Sequence, residues 1–320
     1  MTFTDLTLGY YLVDTSLGSL CSLDTTAPSV TIKEKNSDTT IEKKIVITGD
    51  EKVDSNSAGI GDTVNFSITI TVKDGAPKGY VLHDKLSGLT FDPNSLEVKV
   101  GTTTLTANTD YTLETNPADG DSFDVKFKDG KLKTNDVVVV TYSATVAANA
   151  TIAGAGNKNT AKLVYNEKDS TKEETTTYVW KLNVHKYALD STNHEVALSG
   201  AKFVLYRMDN GVKKYAKLTN KKIVGWVTDK DNATTLETSG TGDILIEGLN
   251  VGTYYLEETE APVGYNKLTE PIEVEITATT SVTSGSETVQ YKNSSETSYT
   301  PATDATVKVL NNAGTQLPST

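Results

Sequence analysis

Apolar and polar residues alternate with period two along most of the chain. FSITITV (Phe66–Val72) is the clearest case, and GYYLV near the start and the longer VVVVTYSATV run after Asp136 are rich in β-branched and aromatic residues. Gly, Asn and Asp turn signals such as KDG and ADGD separate these runs, and no window sustains a helical period. The first residues predict strand, turn, strand, followed by a polar connector around Lys33–Thr40. Short strands then run from Ile41 to about Asn166. A polar stretch, NEKDSTKEETTT, reads as a linker ending near Thr177. The last segment opens with YVWKLNVHKYALD and closes with ATVKVLNN, with GAKFVLYR, DILIEGL and GTYYLEE between them. The pattern predicts an all-β protein with two immunoglobulin-like β-sandwich domains in tandem.

Within this alternation some polar residues fall on the apolar face, because residues i, i+2 and i+4 of a strand point the same way. Lys186 shares a face with Leu182 and Val184, Glu258 with Tyr254 and Leu256, and Asn311 with Val307 and Val309. Earlier in the chain, Lys43 falls with Ile41, Ile45 and Ile47, Asp84 with Leu82 and Leu86, and Asn159 with Ala161, Leu163 and Tyr165. Each half therefore aims one lysine, one acid and one asparagine at its core. A buried ammonium costs several kcal/mol unless it is paired or neutralised. Burial lowers a lysine pKa and raises that of a carboxyl, so both groups can be neutral. A neutral amine is a nucleophile, and a protonated carboxyl can polarise an amide. Attack on the Asn Cγ with loss of ammonia would give a Lys–Asn isopeptide. The competing reading of each lysine alone is a snorkelling or edge residue.

Composition narrows the options. The 320 residues give room for about two domains. Roughly one residue in six is Thr, which favours strands. A net charge of −12 leaves no basic face for nucleic acid. No apolar run of membrane-spanning length occurs, so no membrane segment is expected in the mature form. Cys21 is the only cysteine, which excludes an internal disulfide and a thiolate metal cluster. His83, His185 and His194 look too scattered for a histidine metal site, so neither metal nor cofactor is expected. ADGDSFD (Ala118–Asp124) carries cation-binding residue types but reads first as a solvated acidic turn. DKDN at Asp229 lacks the glycine and the terminal Glu of a calcium loop. No Ser/His/Asp set stands out, and an enzyme acting on an external substrate is the weakest class.

The string YYLEETEAPVGYN (Tyr254–Asn266) closely resembles the E-box of Cna B-type domains in Gram-positive pilins, and GDILIEGLNVGTYYL before it matches the run that precedes that box. Leu317, Pro318, Ser319 and Thr320 resemble the start of a sortase LPxTG signal. GDTVNFSITI, YVLHDKLSGLTF and GNKNTAKLVY are similar to the middle domain of sortase-assembled major pilins, and LGYYLVDTSLGSLCSL to the end of their N-terminal domain.

The resemblance implies four segments: 1–36, the remnant of an N-terminal domain with its connector; 37–177, a Cna A-like middle domain; 178–314, a Cna B-type domain; and 315–320, the truncated sorting motif. It implies Lys186–Asn311 and Lys43–Asn159 as cross-links, promoted by Glu258 and Asp84. Lys44 and Asn312 stand as alternatives to Lys43 and Asn311. Thr320 would be the acyl donor to the next subunit. Lys35 of IKEKN would be the acceptor ahead of Lys33, although the Tyr-Pro of the family's acceptor motif is absent. The function implied is a structural shaft subunit of a covalent surface pilus, extracellular and anchored to the cell wall. Its partners would be neighbouring pilin subunits, a pilus-specific sortase, and peptidoglycan through the pilus base. The other reading is a wall-anchored adhesin, or a basal or tip pilin, that binds a host ligand.

Overall fold

The computed structural model describes residues 3–13, 19–31, 38–49, 51–73, 78–165, 168–293 and 296–314. Among them the secondary structure is strands plus two short 3-10 turns, as the alternation predicts. Gly9–Val13 and Ser19–Leu23 form an antiparallel hairpin. No helix among the described residues is long and apolar enough to cross a membrane.

Two seven-stranded sheets follow. In the first, Val137–Val146 and Thr63–Thr71 lie at the centre with Thr40–Val46 beside them. In the second, Val81–Leu86 lies between Phe123–Phe127 and Asn157–Tyr165. Their inward residues, among them Phe66, Ile68, Leu82, Phe123, Val140 and Leu163, form one buried core. Alternation is carried through with little interruption: along Asn157–Tyr165 every second residue is buried. It fails at Ile47, which lies beyond the end of its strand and is exposed.

The stretch read as a linker is not one. Glu173–Tyr178 is a strand that pairs antiparallel with Asn157–Tyr165 and parallel with Ser55–Ser57. Thr175, Thr176 and Thr177 are buried. The polar composition suggested a solvated segment, but β-branched threonines suit a pleated surface, and their side chains find cover under neighbouring strands. Asn159 consequently lies in the third strand from the end of its sheet path, and Glu173–Tyr178 follows it in the chain, so it is not in a closing strand.

From Trp180 onward a single twelve-stranded sheet wraps around a second core built from Trp180, Leu182, Phe203, Tyr254, Leu256 and Val307, among others. Its opening strand, Trp180–Leu189, pairs antiparallel with Asp243–Leu249 and parallel with the closing strand, Thr306–Leu310. The chain passes from one core to the other within three residues: Tyr178 and Trp180 pack in the second core, and Val179 in the first. The junction is well bonded. The Ile60 amide donates to the Gly248 carbonyl at 3.0 Å, and Trp180 Nε1 donates to Ser57 Oγ at 2.9 Å. Gly248 has φ +94°, and a Cβ there would come within 2.7 Å of Ile60 Cδ1.

Candidate functional site: two buried Lys–acid–Asn clusters

Lys186 sits in the opening strand with no exposed surface, directly opposite Val309 of the parallel closing strand. Asn311 is the first residue past that closing strand. Its amide donates to the Tyr187 carbonyl at 2.9 Å, which keeps its backbone in register with the opening strand and turns its side chain inward. Lys186 Nζ donates to Asn311 Oδ1. Glu258, from Gly252–Glu260, completes the cluster: its Oε1 lies 3.2 Å from Lys186 Nζ and accepts from Asn311 Nδ2 at 3.2 Å. Its Oε2 accepts from the Leu268 amide at 2.7 Å, which fixes the carboxyl. Burial pulls the Lys186 ammonium down to about 8, against the attraction of Glu258. Asn312 is exposed, so strand parity separates the two asparagines correctly. One detail differs from the expected chemistry. The carboxyl addresses the amide nitrogen, not the amide oxygen, which Lys186 occupies.

The earlier cluster bridges the two sheets of its sandwich. Lys43 lies on one sheet, and Asp84 and Asn159 lie on adjacent strands of the other. All three side chains are buried. Lys43 Nζ donates to Asp84 Oδ2. A fourth residue, which the sequence reading did not single out, holds the group together. The Tyr142 hydroxyl accepts from Lys43 Nζ at 2.7 Å and from Asn159 Nδ2 at 2.7 Å, and donates to Asp84 Oδ2 at 2.9 Å. Its signal was present, since Tyr142 shares the inward parity of Val138, Val140 and Ala144. Asp84 Oδ1 and Asn159 Oδ1 are buried without a hydrogen-bond partner. Burial lowers the Lys43 ammonium and raises the Asp84 carboxyl, each opposed by the attraction of the other. Both shifts favour the uncharged forms. Lys44 points away, partly exposed and paired with Asp54 at 2.7 Å.

Lys35, Lys33, Leu317, Pro318, Ser319 and Thr320 lie outside the described residues. His185 and His194 pair separately with Asp243 and Asp190. His83, by contrast, is brought to Asp119, Asp121 and Asp124 of the acidic turn.

Fold and clusters together define a class: a two-core, all-β protein whose second sandwich has its opening and closing strands side by side. Residues 180–290 match the family model described as SpaA: Prealbumin-like fold domain. The chain is similar to the backbone protein of the group B streptococcus pilus 2b, at 25% identity and a TM-score of 0.65, over 87% of this chain and 99% of that one. It shares the fold of the full-length major pilin RrgB from Streptococcus pneumoniae (17% identity, TM-score 0.63, 93% of this chain and 78% of that one). It also shares that of BcpA, the major pilin subunit of Bacillus cereus (19% identity, TM-score 0.55, 96% and 82%). No curated protein matches the chain in sequence. The chain is a pilin-like protein, with immunoglobulin-like and prealbumin-like sandwiches in tandem.

Proposed function

We propose that this chain is a shaft subunit of a covalent surface pilus, stabilised by Lys186–Asn311 and Lys43–Asn159 isopeptide bonds. The observation that carries the reading is the buried Lys186–Glu258–Asn311 cluster between the opening and closing strands. Charged Lys186 is expensive there, and its lowered pKa makes the neutral amine accessible near neutral pH. Nζ attacks Asn311 Cγ, and the bond to Nδ2 breaks. Glu258 Oε1, within 3.2 Å of both nitrogens, relays a proton from the attacking amine to the departing one. The products are a secondary amide and one ammonia, and no oxidant or cofactor enters. In the other cluster Asp84 takes the acid's role. When protonated, its unpartnered Oδ1 becomes a donor suited to the unpartnered Asn159 Oδ1.

Such a bond suits a fibre one subunit wide. The segment between Lys186 and Asn311 is bypassed by a covalent path, so tension along the chain need not unfold the sandwich. In this reading residues 37–177 and 178–314 are the two cross-linked domains. A pilus sortase joins Thr320 of one subunit to Lys35 of the next, and the assembled fibre is held on the cell wall through the pilus base.

Tryptic digestion followed by tandem mass spectrometry tests the reading. It predicts a branched peptide joining Lys186 to Asn311 that disappears in Lys186→Ala. Recovery of both as linear peptides would refute it. Polymerisation is tested separately: Lys35→Ala, produced beside the pilus sortase, is expected to collapse the high-mass ladder to monomer.

A further inference from the structure

We propose that His83, Asp119, Asp121 and Asp124 bind a divalent transition-metal ion of the zinc class. Nothing in this assignment depends on the isopeptide reading. His83 and Asp124 face each other across the antiparallel pair formed by Val81–Leu86 and Phe123–Phe127. They project from the side of the sheet opposite Asp84. The turn before Phe123 folds over them, closed by bonds from the Asn116 amide to the Ser122 carbonyl and from the Ser122 amide to the Asp84 carbonyl. Asp119 Oδ1 accepts from the Asp121 amide, which leaves Oδ2 facing inward. His83 Nδ1 then has three carboxylate oxygens around it: Asp119 Oδ2 at 3.4 Å, Asp121 Oδ2 at 3.2 Å and Asp124 Oδ1 at 2.9 Å.

The decisive observation lies at the bottom of this cup. Asp124 is buried, with 3% of its side chain exposed. Its Oδ1 and the His83 Nδ1 are both enclosed, 2.9 Å apart, and neither makes a hydrogen bond. Buried polar atoms are nearly always satisfied. Two such atoms, in near contact without a hydrogen bond between them, are placed as two ligands of one ion would be. Three carboxylates gathered on one imidazole also repel one another, and a doubly charged cation removes that cost. The spacing fits the ion. With metal–ligand bonds of 2.0–2.2 Å, the edge of a tetrahedral site is about 3.3–3.6 Å; the oxygens lie 2.9–3.4 Å from His83 Nδ1, and all four ligand atoms lie within 4.8 Å of one another. An imidazole donor selects zinc-class ions over calcium and magnesium, which take oxygen ligands. The bound ion would fasten the acidic turn to the strand that carries Asp84.

The full chain, free of histidine tags and stripped with a chelator, is titrated with Co2+ and Zn2+. One Co2+ per chain is expected, with the intense visible absorption of tetrahedral cobalt, displaced by one Zn2+. His83→Ala and Asp119→Asn should each weaken Zn2+ binding at least tenfold. Asp119 is half-exposed, so its variant tests ligation without threatening the core. Circular dichroism checks that both variants keep the fold. Absence of stoichiometric Co2+ and Zn2+ uptake overturns the assignment. So does uptake unchanged in both variants, or preferential binding of Ca2+ that survives His83→Ala.

Discussion

Replacing Glu258 with Gln keeps the size of the side chain and an oxygen for the Leu268 amide, but removes the acid from between Lys186 and Asn311. The account predicts that this bond then fails to form, so the ammonia that the cluster would have lost stays in the chain. The stability effect can be worked from the loop that the bond closes. Lys186 and Asn311 are 125 residues apart. The chain-entropy expression used for disulfide cross-links gives about 5 kcal/mol for a loop of that length. That is a large share of the roughly 5–15 kcal/mol that holds a typical domain together. For a unit of this size the loss corresponds to a fall of roughly 10–20 °C in Tm. Intact-mass spectrometry and differential scanning calorimetry on the same sample separate the two claims. Full ammonia loss in Glu258→Gln would remove Glu258 from the chemistry. A missing bond with unchanged Tm would refute the entropic argument while leaving the chemistry intact.

Three other outcomes are expected. Tyr142→Phe deletes the hydroxyl shared by Lys43, Asp84 and Asn159, and should slow or prevent the Lys43–Asn159 bond without affecting Lys186. Mass spectra of freshly synthesised chain read this directly, and unchanged bond formation would reduce Tyr142 to packing. Lys43→Ala should restore one ammonia, whereas Lys44→Ala should restore none and cost under about 1 kcal/mol, because Lys44 is a surface partner of Asp54. In Asn311→Ala, Lys186 stays an amine with a folded-state pKa of about 8, below its unfolded value near 10.4. The unfolded chain therefore binds more protons between those values, and stability should rise with pH across that window by roughly 3 kcal/mol. Denaturant titrations against the Lys186→Met/Asn311→Ala double variant isolate this term. A flat or falling difference would contradict it.

Strand parity alone located six buried polar residues, because a one-residue error in a two-sided strand would have put each of them in water. It also set Asn311 ahead of Asn312, whereas the doubled lysine left Lys43 and Lys44 open until the structure buried Lys43 and turned Lys44 toward Asp54. What parity could not supply was tertiary company. Tyr142 looked like one more inward aromatic, since nothing local shows that its hydroxyl meets three polar groups from other strands. The Glu173–Tyr178 strand was hidden by its charged and hydroxylated composition; its burial depends on pairing with Asn157–Tyr165 and Ser55–Ser57. His83 and Asp124 are 41 positions apart in sequence, and only the antiparallel register makes them neighbours. Ile47 shows the opposite error, a correct parity continued past the end of its strand.

The central claim is that two covalent bonds form inside this chain at the expense of two ammonias. The direct measurement is the intact mass of the denatured protein against the mass calculated from its sequence. The account predicts a deficit of about 34 Da, divided equally between Lys43→Ala and Lys186→Ala when each is measured against its own calculated mass. A mass equal to the calculated value would contradict it, leaving two buried Lys–acid–Asn clusters held by hydrogen bonds alone.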